Sequence, residues 1–350
     1  MEFGMFHEFR CTTNGATHAE TFASAFAEID AAEEMGLDVI WLGELHMDPT
    51  RSVLSAPLTV ASAVGMRTRR IKIGIAVQVL PLVHPMRIAE EAATVDQISQ
   101  GRLVFGVGRS GLPRGYDAYG IPYAESHDRF PEALALIKRA WTENSFSYEG
   151  RFYSCKNVNL SPKPYQRPHP PIRVAASSPD TFPTIGRLGD AIMVAVRAGS
   201  LSDLVPSIKA YREAWREAGH PGRGAVYLRI PVYIAETERL AREEPEASIM
   251  NFYRLLGERI VASAGQAGVR TIERRAERGQ DLQALTYDAA LRTKLVIGTP
   301  DRVVDRLRQI EEELGLDGIL AECNCGGGLP PARVMNSLRL LCEQVLPQFR

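Results

Sequence analysis

Hydrophobic and polar positions along this chain follow two patterns. Short apolar runs rich in Val and Ile are separated by longer segments in which apolar residues recur at helical spacing. This alternation is typical of βα units that build a parallel sheet. It predicts eight strands: Glu2–Phe9, Val39–Glu44, Ile71–Leu80, Leu103–Ser110, Ile172–Ser177, Ala191–Val196, Tyr227–Ala235 and Gly318–Asn324.

Helical segments between these runs have apolar stripes and end signals. One stripe ends before Gly36 and another follows Ser126, which is predicted to be an N-cap. Thr299-Pro300 and Pro330-Pro331 each place a proline at the first position of a helix. The predicted inward faces are Phe22, Phe26 and Ile29; Phe130, Leu134, Ile137 and Trp141; Val303, Leu307, Ile310 and Leu314; and Val334, Leu338, Leu341 and Val345.

Eight strand-helix units without a break in composition favour one closed (β/α)₈ barrel, an α/β TIM-barrel domain over residues 1–350, rather than two Rossmann-like halves. Two connections are too long to be simple turns. Residues 111–171 should contain one helix and the Pro-rich stretch SPKPYQRPHPP. Residues 236–298 are densely charged and could form either a solvated helical excursion or a mobile lid.

Composition narrows the class of ligand. Apolar residues make up 45% of the chain and charged residues 24%, as in a globular protein with a large core. The formal net charge is -1, so no field of one sign attracts nucleic acid or an anionic membrane. The chain contains neither a membrane-spanning apolar run nor a signal-peptide pattern at its start. We therefore expect a cytoplasmic protein that binds a small molecule.

The cysteines argue against both disulfides and metal. Five residues, Cys11, Cys155, Cys323, Cys325 and Cys342, form an odd and scattered set that fits free thiols. The C-x-C pair has no second Cys or His pair to complete a zinc site, so no metal is predicted.

Gly106-x-Gly108-x-x-Gly111 follows a predicted strand and resembles a dinucleotide fingerprint. That fingerprint needs a helix at its third glycine, whereas the prolines and glycines downstream predict a loop. NAD binding is therefore not expected. The segment instead places Arg109 at the carboxyl end of a barrel strand, where barrels bind ligands.

Ser177, Ser178 and Thr181 follow the next predicted strand and precede a helix. Hydroxyls and free N–H groups there can bind an anion, although such residues also cap helices without a ligand. With Arg109 on the neighbouring strand they predict a phosphate cradle. The glycine run 326–328 after the eighth strand is a competing phosphate loop.

His46 follows the second predicted strand, in the sequence Glu44-Leu45-His46. At the carboxyl end of a barrel strand it could act as a general base or donate a hydrogen bond to substrate. It could equally be a structural histidine.

Three segments together resemble the bacterial-luciferase-like flavin-dependent monooxygenases. They are IGIAVQVLPLVHPMRIAEEAATVDQISQGRLVFGVGRSG, KPYQRPHPPIRVAASSPDTF and CGGGLPPARVMNSLRLLCEQVLPQF, and the resemblance covers nearly the whole chain. It implies a (β/α)₈ barrel, usually dimeric, with FMN at the carboxyl-terminal mouth. It also implies that reduced FMN and O₂ form a C4a-peroxyflavin that oxygenates a small substrate.

The resemblance assigns roles to particular residues. The family's phosphate arginine falls on Arg109 and its phosphate hydroxyls on Ser177, Ser178 and Thr181, in preference to the glycine run. A cis peptide beneath the flavin ring would fall at Ala76-Val77. Two departures distinguish the chain from light-emitting members: Leu45 replaces their catalytic histidine, and Gly108 replaces a reactive cysteine near the flavin. His46 therefore becomes the candidate catalytic residue.

Three functions remain open at this point. The first is a two-component monooxygenase that receives reduced FMN from an NAD(P)H-dependent flavin reductase and cannot use NADH alone. The second is a deazaflavin-dependent hydride-transfer enzyme of the same superfamily, against which the VQVLPLVHP and GGGLP blocks argue. The third is a catalytically silent flavin-binding protein, which the missing histidine would allow.

Overall fold

The computed structural model describes residues 1–10, 15–196, 199–265 and 272–350. Its strands, all within these ranges, are β1 (Glu2–His7), β2 (Val39–Leu42), β3 (Lys72–Ile75), β4 (Gln78–Val79), β5 (Leu103–Gly108), β6 (Phe146–Glu149), β7 (Ser154–Val158), β8 (Ile172–Ala175), β9 (Ala191–Ala195), β10 (Val226–Ile234), β11 (Val296–Gly298) and β12 (Gly318–Glu322).

Eight of these strands close into a parallel barrel. The ring runs β1, β2, β3, β5, β8, β9, β10, β12 and back to β1, with every neighbouring pair parallel. Each barrel strand lies within or overlaps one of the eight apolar runs. The predicted (β/α)₈ fold is therefore confirmed.

The strand predictions needed corrections besides the hairpin β6–β7, which was not predicted. The run Ile71–Leu80 is interrupted after Ile75, and a two-residue strand, β4, follows the break and pairs with β5. The short strand β11 pairs with β10 and was not predicted. Several predicted strands also extended one or two residues too far, because the chain bends away from the sheet at the carboxyl end of the barrel.

The helices surround the barrel. They are α1 (His18–Glu34), α2 (Pro57–Arg67), α3 (Pro85–Ile98), α4 (Pro113–Ala118), α5 (Ser126–Thr142), α6 (Thr181–Leu188), α7 (Val205–Glu217), α8 (Glu238–Ala262), α9 (Ile272–Gln283), α10 (Tyr287–Thr293), α11 (Pro300–Leu314) and α12 (Pro331–Leu340). No helix in the described ranges is long and apolar enough to cross a membrane.

The predicted helix ends agree with the structure, except at two predicted N-caps. Pro300 and Pro331 begin α11 and α12, and Gly315 ends α11 in the left-handed conformation, φ 61°. Thr299 occupies the N-cap position but makes no capping hydrogen bond with its side chain. Ser126 is not a cap either, because it is already the first helical residue and its hydroxyl accepts a hydrogen bond from another segment.

The long connections contain more structure than predicted. Residues 111–171 hold two helices, α4 and α5, and the antiparallel hairpin β6–β7, so the expectation of one helix was wrong. The loop predicted after Gly111 is also wrong beyond Leu112, because Pro113 suits the first position of α4. Residues 236–298 hold α8, α9, α10 and β11, except that 266–271 lie outside the described residues.

Two apolar layers place the functional end of the barrel. An outer layer packs between strands and helices, and an inner layer fills the barrel with Phe6, Val39, Trp41, Val104, Met193 and Leu320. Because side chains alternate along a strand, the next inward positions toward the carboxyl ends are two residues farther on. Those positions form the floor and walls of the mouth.

Candidate functional site

The inward positions at the barrel mouth divide into two halves. Five strands end in small residues, and three strands carry large charged ones. The small positions are Gly43, Ala76, Gly108, Ala175 and Ala195, and the charged positions are Glu8, Arg229 and Glu322. Ala175 is exposed and Ala76 and Ala195 are half-buried, so space remains above the small half. A flat ligand fits such a floor better than a compact one.

Close approach of strands explains the G-x-G pattern. A Cβ on Gly106 would lie 1.8 Å from the Ile75 carbonyl oxygen, and one on Gly108 would lie 2.7 Å from Val77 Cγ2. Both glycines therefore let β5 pass directly beside the segment that follows β3. Their role is packing under the mouth.

The peptide bond between Ala76 and Val77 is cis, as the family resemblance implied. It lies between β3 and β4, and both side chains pack against the inner apolar layer. The next residue, Gln78, is buried and donates from Nε2 to Glu44 Oε2 over 2.6 Å. Its Oε1 is buried without a hydrogen-bond partner among the described residues. This orphaned acceptor points to a donor supplied by a ligand.

Glu44, His46 and Tyr119 form a hydrogen-bonded series beside Gln78. His46 Nε2 lies 2.6 Å from Glu44 Oε1, and the Val79 N–H donates to Glu44 Oε2 over 2.9 Å. On the other side of the imidazole, Nδ1 lies 3.3 Å from the Tyr119 hydroxyl. Burial raises the pKa of the Glu44 carboxyl, against the opposing effect of the His46 and Val79 hydrogen bonds. The series leads from the interior to an exposed phenol.

Arg109 directly follows β5 and is half-buried. Its Nη1 donates to the Ser126 hydroxyl over 3.1 Å, and its carbonyl oxygen accepts from the hydroxyl of the buried Tyr116. These contacts anchor both its backbone and its guanidinium. A positioned guanidinium with donors to spare suits a phosphate or carboxylate.

The serine and threonine cluster follows β8, the strand next to β5. Val107 pairs with Val174, so Arg109 and Ser177 both lie just beyond the carboxyl ends of adjacent strands. Ser177 is exposed, and Thr181 begins α6 with its hydroxyl donating 2.6 Å to the Ser178 carbonyl. The structure thus places the predicted cradle residues at one edge of the mouth.

The competing glycine run after β12 is not open to a phosphate. Ser248 of α8 donates to the Cys325 carbonyl over 2.7 Å and accepts from the Gly328 N–H over 2.9 Å. A Cβ on Gly326 would lie 2.1 Å from the Ser248 carbonyl oxygen. These glycines accommodate α8, so their backbone donors serve packing.

The connection 236–298 covers part of the mouth. The ring of Phe252 on α8 lies 5.1 Å from the Arg10 guanidinium and 5.7 Å from that of Arg51. Arg259 pairs with buried Asp48 over 2.8 Å, and Arg275 of α9 donates 2.6 Å to the Gly111 carbonyl. Helices from this connection therefore contact segments that follow the second and fourth barrel strands.

Several site residues were not found from the sequence. Gln78 lies in a predicted strand and Tyr119 in a predicted loop, and neither was assigned a role. Glu44 was identified only as a neighbour of His46. The charged half of the mouth, formed by Glu8, Arg229 and Glu322, was missed although all three lie inside predicted strands. A charged side chain two residues beyond an inward apolar one was the signal available.

Four of the five cysteines lie among the described residues, and Cys11 lies outside them. The described residues contain no group of three or more His, Cys, Asp or Glu side chains arranged to hold an ion. Cys323 and Cys325 are buried, and burial raises the pKa of both thiols, which keeps them neutral.

Comparison with known proteins agrees with this architecture. The sequence model of the luciferase-like monooxygenases matches residues 1–318. The oxygenase component of the flavin-dependent trigonelline monooxygenase of Acinetobacter baylyi is 25% identical over 357 aligned positions, covering 100% of this chain and 96% of the relative. The oxygenating constituent of 3,6-diketocamphane monooxygenase from Pseudomonas putida, solved with FMN, superposes with a TM-score of 0.82 at 22% identity over 99% of this chain and 98% of that one.

Proteins with another cofactor also match. The coenzyme F420-dependent tetrahydromethanopterin reductase of Methanopyrus kandleri superposes with a TM-score of 0.75 at 19% identity over 100% of this chain and 99% of that one. The F420-dependent glucose-6-phosphate dehydrogenase of Kineococcus radiotolerans is 31% identical over 193 residues, which is 52% of this chain and 56% of the relative. The barrel is therefore shared by proteins that use different flavin-type cofactors.

Proposed function

This chain belongs to the luciferase-like monooxygenases, a family of oxidoreductases, and on that premise we propose that it uses reduced FMN and O₂ to oxygenate a small organic substrate. The observation that supports the choice of FMN is the mouth itself. Arg109 and the Ser177–Thr181 cluster lie at one edge of a floor built from small residues. We further propose that a separate reductase supplies the reduced flavin.

The residues present fit FMN. Arg109 and the hydroxyls of Ser177, Ser178 and Thr181 would hold the phosphate, because charge-assisted hydrogen bonds to phosphate are strong and directional. Ala76, Val77 and Gly108 would lie beneath the flat ring system. The partnerless Oε1 of Gln78 would accept a hydrogen bond from a ring N–H. Arg109 donates only from Nη1 to another described side chain, and Gln78 Oε1 has no described partner, so both have capacity left for a ligand.

When bound, reduced FMN supplies two electrons that activate O₂, so that one oxygen atom enters the substrate and the other leaves as water. The chain must hold the flavin, orient the substrate and exclude water. The floor of small residues would hold the flavin. The helices α8 and α9, which contact segments at the mouth, would exclude water.

His46 is placed to hold or move a proton. With Nε2 donating to the buried Glu44 carboxylate, Nδ1 is the nitrogen that accepts a proton or a hydrogen bond. Tyr119, 3.3 Å from Nδ1, is exposed and links that nitrogen to the exterior. We propose that His46 Nδ1 is the proton acceptor of the site, with Glu44 fixing the imidazole.

A second candidate function is hydride transfer with a deazaflavin, because an F420-dependent relative is 31% identical to this chain over 52% of its length. The two functions differ in their need for O₂. Anaerobic titration with reduced FMN and with reduced F420, followed by O₂ uptake, separates them: tight binding of F420 and turnover without O₂ would favour the second.

Replacing Arg109 by Ala should weaken the binding of reduced FMN about ten- to a hundredfold. The loss corresponds to a charge-assisted contact worth roughly 1.5–3 kcal/mol. Anaerobic fluorescence titration measures it. Arg87→Ala is the matched control, because Arg87 is an exposed arginine on α3 that pairs with Glu91. Equal affinity in the wild type and both variants would remove Arg109 from the phosphate site.

We also propose that residues 236–298 include a lid that closes over the bound flavin. Limited proteolysis of the free chain should then cut first in this connection, and reduced FMN should slow the cutting. Arg275→Ala removes the hydrogen bonds to Gly111 and Ser263 and should speed it. Residues 111–171, the other long connection, serve as the internal comparison. Cutting there first, or rates unchanged by FMN, would refute the lid.

A further inference from the structure

The charged half of the mouth is a buried ion cluster with a surplus of positive charge. Glu8 contacts Arg51 at 2.5 Å and Arg10 at 2.8 Å, and Glu322 contacts Arg10 at 2.5 Å and Arg229 at 2.9 Å. A longer contact of 3.2 Å joins Arg229 to Glu8. Three guanidinium groups therefore share two carboxylates. The described cluster has a net charge of +1.

Uncompensated charge is costly where water is excluded, so the surplus calls for an explanation. The guanidinium of Arg229 stacks 3.6 Å above the ring of Phe6, which belongs to the inner apolar layer of the barrel. The cluster thus lies directly above the core, at the level of the mouth.

Neighbouring titratable groups do not neutralise the surplus. The charge of Arg229 acts on the Cys325 thiol and the Tyr253 phenol, but burial outweighs it and raises the pKa of both. Both groups therefore stay neutral at physiological pH. The two carboxylates are already ionised, because the surrounding arginines outweigh burial and lower the pKa of Glu8 and Glu322.

Among the three arginines, Arg229 is the most exposed. Its side chain is 15% exposed, against 9% for Arg10 and 5% for Arg51. Its described hydrogen bonds use Nε and Nη2, both to carboxylates. Nη1 has no described acceptor, yet it is not among the buried polar atoms that lack a partner. Two N–H donors therefore face accessible space.

We infer that Arg229 is a recognition site for an oxyanion, most simply a carboxylate, on the substrate. The anionic group would take the open side of the guanidinium and offset the surplus charge. The carbon skeleton would then extend over the small half of the mouth. This inference rests on the proposed function, since it names the class of substrate that the same site would oxygenate: an organic acid.

The substitution Arg229→Gln tests the inference and preserves the other ion pairs of the cluster. It leaves two arginines and two carboxylates, in which Glu8 keeps Arg10 and Arg51 and Glu322 keeps Arg10. Arg229→Lys keeps the charge but not the planar fork. Arg51→Gln is the matched control, because it removes the same charge from the least exposed arginine.

The probes are benzoate and its uncharged isostere benzamide, titrated calorimetrically into the flavin-free chain in phosphate-free buffer. We expect the wild type to bind benzoate at least tenfold more tightly than benzamide. Arg229→Gln should lose roughly ten- to a hundredfold in benzoate affinity, the loss expected for a charged hydrogen bond. Arg229→Lys should retain part of the affinity and Arg51→Gln most of it. Arg109→Ala should bind benzoate normally, which excludes binding at the phosphate cradle.

Equal binding of benzoate and benzamide, no benzoate binding at millimolar concentration, or full affinity in Arg229→Gln would overturn the inference. Flavin binding is measured separately on the same samples by absorbance. Benzoate binding without FMN binding would refute the proposed function alone, and FMN binding without benzoate selectivity would refute the inference alone.

Discussion

Replacing Glu8 by Gln is expected to lower the free energy of unfolding by about 3–5 kcal/mol, the range found when one partner of a buried ion pair is removed. The substitution would leave three arginines and one carboxylate, that of Glu322, which contacts Arg10 and Arg229 but not Arg51. Since the side chains of Glu8, Arg10 and Arg51 are almost fully buried, water screens the added repulsion only weakly.

Urea denaturation of the wild type and the variant measures the loss. Asp30→Asn is the control, because it breaks an ion pair with Arg67 that is largely exposed and should change stability little. A loss in Glu8→Gln no greater than that of the control would mean that the cluster is not an energetic unit.

The pH dependence of stability checks the same prediction. Burial alone would raise the pKa of Glu8 and Glu322, but the arginines outweigh it and lower both. A carboxyl with a lowered folded-state pKa contributes stability that is complete above its unfolded value of about 4.3 and is lost as pH falls through the folded value. The wild type should therefore lose stability below about pH 4, and Glu8→Gln should lose less over that interval.

The barrel could be predicted from the sequence because its strands are apolar on the outer face and mostly apolar within. Buried parallel strands read as continuous Val- and Ile-rich runs, and these located all eight. The hairpin β6–β7 was missed for the opposite reason: most of its residues, such as Ser154 and Asn157, are exposed or half-buried and carry no apolar run. The three-residue β11 is too short to stand out within a charged connection.

The candidate site was predictable only where neighbouring strands follow each other along the chain. Arg109 and Ser177 follow consecutive barrel strands, so their proximity could be argued from order alone. Glu8, Arg229 and Glu322 come together only because the first and last barrel strands pair. Closure of the barrel, rather than any local pattern, creates that cluster. The cis peptide at Ala76-Val77 came from the family resemblance, since nothing in two small apolar residues signals it.

The packing of Gly106 and Gly108 also bears on whether this chain can take electrons directly from NADH. A dinucleotide site needs glycines that bring a helix N-terminus to the pyrophosphate. Here Gly106 and Gly108 are occupied in packing β5 against Ile75 and Val77, and α4 begins only at Pro113, with six residues. This packing argues against a nicotinamide dinucleotide at this motif.

Turnover should consequently require a second protein when NADH is the electron source. The chain incubated with NADH, oxidised FMN and O₂ should oxidise NADH no faster than a protein-free control. Addition of an unrelated flavin reductase should start oxygen consumption by this chain once an acceptable substrate is present, because a diffusible cofactor needs no dedicated docking surface. The near-zero net charge gives no sign of such a surface.

The measurement is substrate-dependent product formation, with Arg109→Ala plus reductase as the control for reaction in free solution. Rapid NADH oxidation by the chain alone would contradict the two-component proposal.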